Sequence, residues 1–135
     1  MRKAADSSVT IAALLADHPA HKTAADALAR CKTTIAHVAI ETYSVLTRLP
    51  APHRVDARIA DTVLKERLAT AHAALEAGDY AAAPARLADA GVSGGASYDG
   101  LIALTALEHD LEILTRDKRA ERTYRALNAP YQLLP

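Results

Sequence analysis

Leu111-Glu112-Ile113-Leu114-Thr115-Arg116-Asp117 opens the stretch that decides the fold. Leu111 to Thr115 is short and apolar and reads as a strand. Lys118 to Leu127 follows as a helix with its Arg and Glu residues exposed, and Tyr131 to Leu134 as a final strand. A strand, a crossing helix and another strand predict a parallel sheet covered on both faces.

Working outward, the rest of the chain keeps that alternation. Arg2 to Asp6 is expected to be a short extended piece despite its weak strand propensity. Ser7 or Ser8 is then placed to cap a helix through Ala16, which His18-Pro19 breaks. Ala20 to Cys31 carries Ala24, Ala25, Leu28 and Ala29 at helical spacing. Thr33 to Val38 reads as a buried strand and Ala39 to Leu49 as a helix ended by Pro50 and Pro52, which puts Glu41 in the first turn after a strand. Val55 to Leu68 is a helix with Ile59, Val63 and Leu64 inside, and Ala69 to Leu75 suits either helix or strand. After the turn-like Ala77-Gly78-Asp79, a short helix is expected from near Pro84 to Ala90, stopped by Gly91. Ser97 or Tyr98 starts a longer helix through His109, with Asp99 in its first turn. The fold class is therefore α/β, one domain over residues 1–135.

At 135 residues and half apolar, the chain has the side chains for one core. Abundant Ala, with no Phe or Trp, favours closely packed helices over a β-sandwich. Sixteen basic and sixteen acidic residues cancel, so attraction to phosphate must come from local clusters. Cys31 is the sole cysteine, which rules out an intrachain disulfide and suits a buried structural thiol. Arg2 and Lys3 before Val9 to Ala16 imitate a leader peptide, but Asp6 interrupts the pattern. The expected location is cytoplasmic, without a membrane span.

Four acids stand at or near segment ends: Asp6 in Asp6-Ser7-Ser8, Glu41 in Ala39-Ile40-Glu41-Thr42-Tyr43, Asp99 in Tyr98-Asp99-Gly100, and Asp117 in Thr115-Arg116-Asp117. An open α/β sheet gathers such ends in one crevice. Together they would suit Mg2+ or Mn2+, which take hard oxygen ligands. Without a cation, two carboxylates about 4 Å apart repel by roughly 4 kcal/mol at an effective dielectric of about 20. Ser7, Ser8 and Thr115 stand beside the acids and could orient them. Taken singly, each acid also suits a helix cap or first turn. Arg116, Lys118, Arg119 and Arg122 are the nearest cations in sequence to Asp117 and could meet substrate phosphates, or form a solvated helix face.

The same residues resemble a known family. Asp6-Ser7-Ser8, the run Ala39 to Pro50, the run Gly94 to Ala103, and Leu114-Thr115-Arg116-Asp117 with Tyr124-Arg125-Ala126-Leu127 are similar, in order and over nearly the whole chain, to the four acidic motifs and the closing helix of PIN-domain proteins. The resemblance is greatest to the VapC-type ribonuclease toxins of bacterial toxin–antitoxin systems. It departs from them at Arg2-Lys3-Ala4-Ala5, where the family usually has a bulky apolar strand.

The resemblance implies a three-layer α/β/α sandwich with a central parallel sheet of about four or five strands, and a Mg2+- or Mn2+-dependent endoribonuclease. Asp6, Glu41, Asp99 and Asp117 would hold the cation, an RNA would be the substrate, and a VapB-type antitoxin and a second copy of the chain would be partners. The alternatives are a catalytically inactive partner-binding protein of the same fold, or an RNA-processing nuclease that is not a toxin. A haloacid-dehalogenase-type phosphohydrolase is disfavoured, since no second Asp stands two positions after Asp6. His18 and His21 lack the partners of a zinc set, and Ser93-Gly94-Gly95 lacks a phosphate-loop lysine.

Overall fold

Parallel strands cannot be joined by tight hairpins, so each link between them must cross over. A computed structural model describes residues 1–135. The elements run β1 (Arg2–Ala5), α1 (Ser7–Leu14), α2 (His21–Ala29), β2 (Thr34–Ile35), α3 (Ala36–Thr47), α4 (Ala57–Arg67), β3 (His72–Ala73), α5 (Ala77–Asp89), α6 (Ala96–Glu108), β4 (Leu111–Thr115), α7 (Ala120–Ala126) and β5 (Tyr131–Leu133). β4 lies between β1 and β5 and is parallel to both, with Ala5 opposite Leu114 and Ile113 opposite Tyr131. β2 and β3 form a second parallel ladder, Thr34 opposite His72, and β2 packs beside β1. The strands therefore number five, but they divide into a sheet of three and a sheet of two instead of one continuous sheet. Two-residue strands offer few ladder bonds with which to extend it.

Successive strand residues point to opposite faces. Ala4 and Ile113 accordingly join one apolar cluster with Val38, Ile102, Ala106 and Tyr124 from α3, α6 and α7. Ala5 and Leu114 join another with Val9, Ala12, Ala13, Ala24 and Leu28 from α1 and α2. Both faces are thus covered by helices, giving the expected α/β/α sandwich. Alanine at so many contacts lets the helix backbones approach closely, which is how a core without Phe or Trp fills. Leu87, Leu101 and Leu104 anchor a smaller cluster under α5. No helix is long and apolar enough to cross a membrane.

Several local expectations are corrected. The cap of α1 is Asp6 and not Ser7 or Ser8: the Asp6 carboxylate accepts from the Ser8 and Val9 amides. Strand β2 ends at Ile35 and helix begins at Ala36, so Glu41 is in the second turn of α3. Ala69–Leu75 contains the short strand β3, formed by its pairing with β2. Ala77-Gly78-Asp79 is no turn but the start of α5, which continues through Pro84. Asp79 in that first turn suits the helix dipole, and Ala83 and Leu87, one and two turns further on, are the buried residues of the helix. Ile59, expected inside, is 57 % exposed.

Candidate active site

The parallel ladders bring strand ends to one edge, and three acids follow from that arrangement. Asp6 directly follows β1, where its amide donates to Leu114 O at 2.9 Å and extends the ladder by one residue. Asp117 lies two residues beyond β4. Glu41 hangs from α3, which leaves directly from β2. Asp99 reaches the same region from the first turn of α6.

Asp6 is 2 % exposed, and both its oxygens are engaged. Oδ1 accepts from Ser8 N at 3.0 Å, Ser8 Oγ at 2.5 Å and Val9 N at 3.4 Å. Oδ2 accepts from the buried Tyr124 hydroxyl at 2.8 Å. Burial raises the Asp6 pKa, while these bonds to the charged form oppose the rise. Burial and the neighbouring Asp6 charge push the Tyr124 phenol far up, so it remains a donor. Ser8 Oγ also accepts from Arg116 N at 2.8 Å and lies 3.4 Å from Thr115 Oγ1, which in turn accepts from Asp117 N at 3.1 Å. One hydroxyl thereby ties the end of β4 to the start of α1. The Ser7 hydroxyl takes no part in this network.

Asp99 makes no hydrogen bond to protein. Its pKa rises from 3.8 to about 6, first through burial, then through repulsion from Asp6, Asp117 and Glu41, against a lowering by His37. The four acids therefore share one field. Asp117 Oδ1 accepts from Arg119 N at 2.9 Å, an anchoring role like the cap that the sequence allowed. Glu41 Oε1 lies 3.0 Å from His37 Nε2, but the approach lacks hydrogen-bond alignment and both atoms are buried without a partner. The alignment decides here: proximity alone does not satisfy either atom.

No three His, Cys, Asp or Glu side chains close around one point as a finished cation cage. The donor set nevertheless fits a hard cation. It consists of carboxylate oxygens, one of them orphaned on Glu41, and of an Asp99 whose charge its neighbours oppose.

Of the four cations beside Asp117, Lys118, Arg119 and Arg122 are exposed. Arg116 is half-buried, its Nε donating to Pro135 O at 3.3 Å. None of the four joins an ion pair with a carboxylate. Sequence reasoning missed Tyr124 and His37. Tyr124 enters only as part of the family resemblance, its bond to Asp6 spanning 118 residues. His37 is hidden because Thr33 to Val38 reads as a strand, whereas α3 begins at Ala36 and sets His37 one helical turn before Glu41. Tyr124→Phe removes a buried bond to a charged group and is expected to cost about 1.5–3 kcal/mol, read from urea unfolding.

Away from the acids, an apolar groove of about 910 Å³ runs between α3 and α4, lined by Ile40, Tyr43, Leu64 and Leu68 among others. Ile40 is 67 % exposed there.

Residues 4–126 match the sequence family described as "PIN domain". "Ribonuclease VapC40" of Mycobacterium tuberculosis is 41 % identical over 131 residues, 97 % of this chain and 98 % of that protein. "Ribonuclease VapC27" of the same species is 42 % identical over 122 residues, 90 % of this chain and 88 % of that protein. Among solved structures, a chain of the complex titled "Crystal structure of VapBC2 from Rickettsia felis bound to a DNA fragment from their promoter" superposes with a TM-score of 0.68 at 15 % identity, covering 100 % of both chains.

Proposed function

The chain belongs to the PIN-domain family, and from that premise we propose that it is a Mg2+- or Mn2+-dependent endoribonuclease, the cytoplasmic toxin of a type II toxin–antitoxin pair. The observation that carries the reading is the gathering of Asp6, Glu41, Asp99 and Asp117 at one edge, with Glu41 Oε1 buried without a partner and Asp99 repelled by the other three acids. Relatives named as ribonucleases, at about two-fifths identity over nearly the whole chain, support the same conclusion.

Asp6, Glu41, Asp99 and Asp117 would hold the cation. When bound, it supplies Lewis acidity to a water nucleophile and to the departing 3′ oxygen. The remaining work belongs to the chain. Ser8, Val9 and Tyr124 hold Asp6 in one orientation. The Arg119 amide fixes Asp117. Lys118, Arg119 and Arg122 meet the phosphates of the RNA. No side chain needs to act as a nucleophile.

The expected result is cleavage of single-stranded RNA by the purified protein with Mg2+ or Mn2+, and its loss on adding a chelator. Cleavage that survives the chelator would overturn the metal-dependent reading. A VapB-type antitoxin and a second copy of the chain are the proposed protein partners. A second reading, a PIN-fold protein that binds a partner without cutting RNA, is favoured by the open apolar groove between α3 and α4. The two diverge on Asp99→Asn: loss of toxicity with partner binding retained excludes the second.

A further inference from the structure

We propose that the stacked pair His37–Tyr98 is a platform for one unpaired RNA base beside the scissile phosphate, a subsite that rests on the ribonuclease reading above. The rings are parallel within 3° and their centroids 5.7 Å apart, joining α3 to the start of α6. Tyr98 directly precedes Asp99, and His37 Nε2 is 3.0 Å from Glu41 Oε1, so the pair borders two of the four acids.

Core packing does not account for Tyr98. It is 58 % exposed, in a chain whose aromatic residues are five tyrosines and no Phe or Trp. An exposed aromatic ring backed by a second ring presents a flat apolar face at low conformational cost. Every nucleobase has a π-face to lay on it, so such a site tolerates sequence. A base within a duplex already has both faces covered, so the site takes single-stranded RNA.

The charge layout agrees. The exposed cations next to Asp117, namely Lys118, Arg119 and Arg122, have no carboxylate partner and belong to the segment after β4, whereas the rings belong to α3 and α6. Phosphates and a base are thus served by different elements around the same carboxylates. That division suits a strand held by its backbone on one segment and by one base on the other.

The test uses the full-length protein with Mg2+ and a short single-stranded RNA carrying 2-aminopurine, whose fluorescence falls on stacking. Binding is read by stopped flow before cleavage, and cleavage kinetics are read on the same RNA. Tyr98→Ala is expected to weaken binding about 5- to 150-fold, the range for losing one stacked base, to abolish the fluorescence drop and to raise KM more than it lowers kcat. Tyr98→Phe restores binding because the ring face returns without the hydroxyl. Tyr98→Ala binding as tightly as the parent overturns the platform, as does Tyr98→Phe falling as far as Tyr98→Ala. In either case a parent that still cuts RNA leaves the ribonuclease reading standing. A parent that neither binds nor cuts RNA overturns that reading and the platform with it.

Discussion

Asp99→Asn is expected to abolish RNA cleavage and, in metal-free protein, to raise the melting midpoint. The opposite signs share one cause. Asp99 titrates at about 6 in the folded chain against 3.8 as its ordinary value. Between those values the native state binds the proton that the unfolded state has released, so stability falls as pH rises from about 4 to 6 and the full penalty persists above. The shift bounds that penalty at roughly 3 kcal/mol, and partial solvent screening brings it to about 1–2 kcal/mol. Asparagine has no charge to penalise, so the variant's midpoint should exceed the parent's at pH 7 and converge on it near pH 4.

Activity moves the other way. A lost outer partner of a metal site already costs about 10- to 100-fold, and a lost ligand should cost at least the upper figure. A saturating divalent cation at about 100 times its Kd should stabilise the parent by about 2.7 kcal/mol, and Asp99→Asn should forfeit most of that gain. Calorimetry across pH, with and without Mg2+, reads the stability effects, and cleavage kinetics with Mg2+ read the loss of activity. A lower midpoint for the metal-free variant would mean that Asp99 has a structural partner, and would remove one support for a shared cation.

Asp6→Ala should be the most damaging single change to the fold at the site. It removes the cap of α1, worth about 1 kcal/mol, and strands the buried Tyr124 hydroxyl, worth about 1–3 kcal/mol. The expected loss is about 2–4 kcal/mol. Asp6→Asn keeps an oxygen for the Ser8 and Val9 amides and should lose about half as much. If Tyr124 is the coupled partner, Asp6→Ala with Tyr124→Phe should cost clearly less than the sum of the single changes. Equal losses for Ala and Asn, or strict additivity, would show that these bonds do not hold the start of α1.

The contrast between Asp99 and Asp6 separates two kinds of carboxylate that look alike in a sequence. Asp6 has several donors and is part of the framework. Asp99 has none and bears the repulsion of its neighbours. Both were legible as acids near segment ends, but their different standing depends on what lies around them. Glu41 illustrates the same limit, since its pairing with His37 requires α3 to begin at Ala36, and its misalignment follows from no spacing.

The amino-acid sequence by itself determined the alternation of strands and helices, the parallel sense of β4 and β5, the helix carrying Asp99, and the order of the four acids. Each of these is written in local periodicity, in Gly and Pro punctuation or in short motifs. Only the tertiary structure decided that β3 is a strand, that α5 runs through Pro84, that Ile59 stays exposed, and that the sheet divides in two. A two-residue strand such as His72–Ala73 exists only through bonds to a neighbour distant in sequence. A proline inside a helix is tolerated because Ala83 and Leu87 on the same helix gain burial elsewhere. The meeting of Asp6 with Tyr124 has the same origin: residues 118 positions apart become neighbours through sheet pairing and core packing, interactions that no local pattern records.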